Sequence, residues 1–107
     1  MAGADGDGHL PAGDDPAERA RALALLEATH QFPCAYELTV IAFNQELTTA
    51  AVKGAVAPED DPVAHRMVES RAGKYVSHRF SVRVTAAADV LEIYARVRRV
   101  EGVVTIL

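Results

Sequence analysis

The order of patterned segments along the chain predicts an α+β domain: a four-stranded antiparallel sheet with two helices on one face, preceded by an extra N-terminal helix. Three observations predict it. From Tyr75 to Thr85 apolar and polar side chains alternate strictly, as in a strand with one buried and one open face. Residues 87–100 carry Val90, Ile93, Tyr94, Val97 and Val100 at helical spacing. The short turn Arg71-Ala72-Gly73 leaves room only for an antiparallel partner before that clear strand.

Residues 1–14 combine Gly, Asp, Ala and Pro with Leu10 as the one sizeable apolar side chain, a composition that predicts a disordered acidic tail. A helix then spans 15–31. Asp15 before Pro16, with Glu18 three positions on, supplies an N-cap, a first-turn proline and a capping-box acid. Ala22, Leu23, Leu25, Leu26 and Thr29 form its modest stripe, and Phe32-Pro33 stops it near His30. Its modest stripe makes it an appendage to the domain, which occupies 32–107.

In the first strand, Ala35 to Phe43, Tyr36, Leu38 and Val40 face the core while Glu37, Thr39, Ile41 and Phe43 face away. Asn44 is placed to cap an alanine-rich helix running to about Ala57, with Leu47, Ala51, Val52 and Ala55 inward and Pro58 behind it. Glu59, Asp60, Asp61 and Pro62 form an acidic loop before a second strand at about 63–70. The third strand buries Val76, His78, Phe80, Val82 and Val84 and presents Tyr75, Ser77, Arg79, Ser81 and Arg83. The last helix starts near Ala87 with Asp89 in its first turn and ends in three arginines; Gly102 sits where a left-handed residue is wanted, and 103–107 closes the sheet. Strand, helix, strand, strand, helix, strand is the ferredoxin-like βαββαβ order, in which the first and third strands are central and one sheet face stays open.

The chain has 107 residues, half of them apolar, enough for a single core. No apolar run approaches the ~20 residues of a membrane helix, and no secretory signal pattern opens the chain, so the reading is cytoplasmic. A lone cysteine, Cys34, excludes an internal disulfide and a thiolate zinc cluster. The net charge of -4 resides in Asp5, Asp7, Asp14 and Asp15; the remainder is neutral. Within it, residues 66–99 hold eight basic side chains against Glu69, Asp89 and Glu92, an excess that suits an anion.

The elements Phe32-Pro33-Cys34-x-Tyr36, Val40-Ile41 and Ser70-x-x-Gly73-x-Tyr75-x-Ser77, with the later Tyr94, Val103 and Leu107, resemble the YbeD-like family of small bacterial proteins over residues 25–107. That resemblance implies a domain of unknown function with a ferredoxin-like fold, akin to small regulatory domains that bind amino acids in metabolic enzymes, and a link with lipoate metabolism. The chain departs from the family pattern at Thr39, where a lysine is usual, and at Ala42, where a glycine is usual; basic charge near the turn falls on Arg71 and Lys74.

Candidate chemistry is sparse. Cys34 and His30 are separated by a helix-breaking Phe-Pro, so Cys34 reads as a small buried hydrophobe. His65 and His78 are placed by the turn side by side on adjacent strands, but two imidazoles fall short of the three or four ligands a metal wants. His78 then reads as a core histidine and His65 as an edge residue. Gly73 stands alone in its turn, unlike a phosphate cradle, and no acid–base pair or nucleophile elbow is present. The expectation is a non-enzymatic domain with no cofactor and no metal.

Three binding readings follow. In the first, a regulatory module, as a homodimer, binds a small anionic metabolite near Ser70, Lys74 and Arg79. In the second, Ile41, Phe43 and Tyr75 meet a protein partner or are covered by the N-terminal helix. RNA binding through the open face is disfavoured by the neutral domain, the acidic tail and the missing second and third aromatics. The candidate set is Ile41, Phe43, Ser70, Arg71, Gly73, Lys74, Tyr75, Ser77 and Arg79.

Overall fold

The alternation of residues 75–84 produces the strand around which the rest assembles. In the computed structural model, which describes residues 15–57 and 64–107, the elements are α1 (Pro16–Thr29), β1 (Cys34–Phe43), α2 (Glu46–Val56), β2 (Ala64–Glu69), β3 (Tyr75–Val84), α3 (Ala87–Arg98) and β4 (Val103–Ile106). The expected tail of residues 1–14 and the acidic loop lie outside the described residues. Strand order is β2-β3-β1-β4, all antiparallel, with β1 and β3 central. This is the predicted ferredoxin-like arrangement.

Tyr36, Leu38, Val40 and Ala42 of β1 and Val76, His78, Phe80, Val82 and Val84 of β3 are buried beneath the helices. The β1–β3 register runs unbroken from Cys34↔Val84 to Phe43↔Tyr75, so those two rows interlock along ten residues. From above, α3 contributes Val90, Leu91, Ile93, Tyr94 and Val97. Each such side chain contributes roughly 1.5–3 kcal/mol by leaving water, so α3 supplies a large share of the core. Where the two layers meet near the start of β1, the Tyr36 and Tyr94 hydroxyls share a 3.1 Å hydrogen bond, which satisfies both phenols inside the core.

Asp89 fixes the start of α3. One carboxylate oxygen accepts from the Thr85 N–H (2.9 Å), the Thr85 hydroxyl (2.7 Å) and the Ala86 N–H (3.0 Å). At the other end Gly102 takes φ 99°, and its carbonyl accepts from the Phe43 N–H at 2.9 Å. A side chain there would meet the Thr48 hydroxyl at 2.9 Å, so glycine serves both the backbone and the close approach of α2.

Two expectations fail in the helical layer. The first concerns α2, which starts at Glu46 after an N-cap at Gln45; Asn44 does not cap it. Thr48, Val52 and Val56 face inward, whereas Leu47 is 85% exposed and Ala51 is exposed. Three alanines and a glycine leave this helix a thin stripe, and its inward row Thr48, Val52 and Val56 places Leu47 on the solvent side. The second concerns α1. Asp15 caps it through the Ala17 N–H at 2.9 Å, but Ala22 and Leu26 join the main core, making α1 part of the helical layer. It packs along α3, so it leaves Ile41 and Phe43 uncovered.

Candidate functional site

The sheet face opposite the helices carries two distinct regions, and strand register dictates both. Side chains alternate across β1 and β3, so Glu37, Thr39, Ile41 and Phe43 share that face with Tyr75, Ser77, Arg79, Ser81 and Arg83. The β2–β3 pairing Arg66↔Arg79 adds Ala64, Arg66 and Val68. Thr39 and Leu107 exchange both backbone hydrogen bonds (3.2 and 2.8 Å), which brings Leu107 onto the same surface.

The first region is a shallow groove of about 510 Å³ lined by Glu37, Thr39, Arg66, Arg79, Ser81 and Leu107. Arg66 and Arg79 are directly opposite on neighbouring strands, and both are exposed. Like charges in this position oppose strand pairing. Among the described residues neither guanidinium has a carboxylate within ion-pair distance; the ion pair seen is Arg96–Glu92 on α3, at 3.9 Å. The groove thus gathers two planar hydrogen-bond forks and two hydroxyls, Thr39 and Ser81, beside one carboxylate, Glu37. Guanidinium forks match the oxygens of carboxylates, phosphates and sulfates in pairs.

The second region lies toward the β2–β3 turn. The Phe43 and Tyr75 rings pack with centroids 5.3 Å apart and planes tilted by 30°, with Ile41 and the exposed Val68 beside them, and the Lys74 ammonium sits 5.4 Å from the centre of the Tyr75 ring. The polar groups of the turn itself are engaged in holding it. The Ser70 hydroxyl accepts from the Tyr75 N–H at 3.1 Å, and Gly73, at φ 76°, donates to the Ser70 carbonyl at 2.9 Å. Asn44, freed from capping, donates its side-chain amide to the Gly73 carbonyl at 3.0 Å.

The predicted candidates therefore divide. Ile41, Phe43, Tyr75, Ser77 and Arg79 share the open face, whereas Ser70, Arg71, Gly73 and Lys74 belong to the turn. Arg66, the β2 partner of Arg79, is missing from the sequence-derived set together with Glu37, Thr39, Ser81 and Leu107. Counting back from the turn in steps of one would have paired Arg66 with Arg79, but β2 lacks the alternation that shows which of its faces is which.

On the buried side of the same two strands, the His65 and His78 rings meet as the turn predicts. His65 Nε2 and His78 Nδ1 are 3.0 Å apart, and the His65 ring lies flat on Phe80 at 4.5 Å. His78 is fully buried and its Nε2 has no hydrogen-bond partner among the described residues. Burial, followed by the Lys53 charge, lowers the His65 pKa; burial, His65 and Lys53 lower that of His78. Among the described residues no three His, Cys, Asp or Glu side chains converge as metal ligands. Cys34, at the start of β1, is half-buried against the core, and His30 packs edge-on to Tyr36 at 5.2 Å.

The family model of proteins of unknown function called DUF493 matches residues 27–107. The chain belongs to that family. It is the family of YbeD, which the Phe32-Pro33 and Ser70-to-Ser77 elements resemble. No curated protein matches the sequence. Among solved structures, this DUF493 chain is similar to protein HP0495 from H. pylori at 21% identity and TM-score 0.66, covering 94% of this chain and 97% of that one. A second solution structure of HP0495, a hypothetical protein from Helicobacter pylori, matches at 22% identity and TM-score 0.53 over 71% and 87%. The ACT domain from GTP pyrophosphokinase of Chlorobium tepidum matches at 13% identity and TM-score 0.55, over 69% of this chain and 97% of that domain. These likenesses establish a shared fold. No helix among the described residues is long and apolar enough to cross a membrane.

Proposed function

We propose that this DUF493 chain is a non-catalytic regulatory module that binds a small anionic ligand in the groove on its open sheet face. The observation that carries this reading is the Arg66–Arg79 pair: two exposed arginines directly opposite on neighbouring strands and lining one groove, with no carboxylate at ion-pair distance among the described residues. Their mutual repulsion is relieved when an anion bridges them, so the arrangement favours the occupied groove. Thr39 and Ser81 can add hydroxyl hydrogen bonds, while Leu107 and Ala64 offer apolar contact to a short carbon chain. The shared fold with an ACT domain supports a regulatory role. Relative to the sequence-derived set, Arg79 stays at the centre, Arg66 replaces the turn residues, and a homodimer is not required.

The apolar end of the same face, Ile41, Phe43, Val68 and Tyr75, favours a second reading in which a protein partner docks there. A thermal-shift screen of carboxylates, including amino acids and lipoate-like acids, and of phosphorylated metabolites separates the two. A ligand at a hundred times its Kd stabilises the native state by about 2.7 kcal/mol. The first reading predicts a raised Tm for an anionic compound in the wild type that is lost in Arg66→Gln and Arg79→Gln. A screen in which no anion raises Tm at low ionic strength overturns it.

A further inference from the structure

The two arginines of the groove have a histidine immediately before each of them. His65 precedes Arg66 on β2 and His78 precedes Arg79 on β3, so the same strand segments present guanidiniums on one sheet face and imidazoles on the other. β2 is an edge strand held by β3 alone, and most of its side chains are exposed. Its buried attachments are few: the His65 ring on Phe80 and the 3.0 Å hydrogen bond to His78. We propose that the His65–His78 pair is a proton-operated latch on β2 that controls whether Arg66 stays aligned with Arg79. The inference rests on the anion-groove reading for its functional meaning, though the latch itself stands on the pair's geometry.

The hydrogen bond needs a lone pair on one of the two facing nitrogens. A neutral pair has one to spare. A singly protonated pair keeps the bond as well, because the added proton can reside on the outer Nδ1 of His65 while Nε2–H donates to His78. A doubly protonated pair cannot keep it, since two N–H groups then face each other at 3.0 Å. His78 in that state would carry a charge in a fully buried site, with its Nε2–H lacking any acceptor among the described residues. Among the described residues the surroundings do not compensate. From α2 comes Lys53, a like charge; on α3 Arg96 is occupied by the Ala55 carbonyl (2.8 Å) and by Glu92; β3 supplies no carboxylate. Glu69, on the same side of β2 as His65, lies beside Gly73 at the turn. Acid therefore drives His65 off Phe80 and frees the strand that carries Arg66.

The test is residue-resolved amide hydrogen exchange on the full chain between pH 7.5 and 5.0, corrected for intrinsic rates, in wild type, His65→Gln and His65→Phe. Gln can keep a hydrogen bond to His78, and Phe can keep the stack on Phe80, without adding a titrating group. The latch predicts that protection of the β2 amides falls about tenfold or more with acid in the wild type, while the β1–β3 amides hold. It also predicts that both variants lose clearly less β2 protection with acid than the wild type, because His78 alone is left to titrate. Equal loss of β2 protection in wild type and variants, or undiminished wild-type protection at pH 5.0, overturns the latch. A parallel titration with inorganic sulfate, whose charge is constant over this range, reads the groove separately at the Arg66 and Arg79 amides. Release of β2 without any sulfate response would refute the anion reading and leave the latch intact.

Discussion

Truncating Leu26 to alanine tests where α1 docks, and with it whether the sheet face is free for a ligand. Leu26 is 3% exposed and, with Ala22, is one of two buried residues of α1. The change removes three carbons, about 2.4 kcal/mol of lost burial at ~0.8 kcal/mol each, before any cavity is counted. A residual cavity raises the cost, and about 3 kcal/mol lies within the range for buried leucines. At about 4–8 °C per kcal/mol for a domain of this size, Tm should fall by roughly 12–24 °C. Leu25, one position away and 56% exposed, is the internal control: Leu25→Ala should stay within about 0.5 kcal/mol. Urea denaturation followed by circular dichroism measures both. Equal, small effects for the two variants would refute the docking of α1 on α3 and return the open face to the list of places it could cover.

Further expectations concern pH and the start of α3. Both histidine pKa values are lowered in the folded state, so below about 6.5 the unfolded chain binds more protons than the native one, and stability falls as pH falls. The slope should approach up to about 1.4 kcal/mol per pH unit for each histidine, and urea midpoints that match at pH 7.5 and 5.5 would contradict it. Asp89→Ala removes the acceptor of three hydrogen bonds and should cost about 1–2 kcal/mol in the same assay. The Thr85 hydroxyl and N–H hold the Asp89 pKa below its ordinary value, so this contribution is present above that value and disappears as pH falls through the lowered one.

What the sequence made legible follows the strength of each local pattern. β3 and α3 have clear periods: the β3 core residues match the structure one for one from Val76 to Val84, and on α3 Val90, Ile93, Tyr94 and Val97 are buried as expected, joined by Leu91, which the expected stripe left out. The His65–His78 contact was legible because the turn is short, although the register sets the pair diagonally, His65 opposite Phe80 and His78 opposite Met67. In α2 the alanines flatten the stripe, so a start at Glu46 could not be told from a start at Gln45, and Leu47 was assigned to the wrong side. Asn44 misled for a related reason: its amide serves the Gly73 turn across the sheet, a contact 29 residues distant that no local signal reports. The groove suffered most. Arg79 was visible on an alternating strand, but β2 is a mostly exposed edge whose residues carry no buried face to count from, so Arg66 had no assigned side. α1 had a weak stripe of its own, and its place in the core depends on α3 being there to receive it.

Anion binding through Arg66 and Arg79 is the property on which the proposed role of the open face depends. The most direct measurement is an amide chemical-shift titration of the full chain with pyrophosphate and with lipoate at low ionic strength, repeated on Arg66→Gln/Arg79→Gln. Saturable shifts confined to Glu37, Thr39, Arg66, Arg79, Ser81 and Leu107 are expected for at least one of the two anions, abolished in the double variant. Shifts that instead map to the helical layer, or that persist unchanged without the two arginines, would contradict that role.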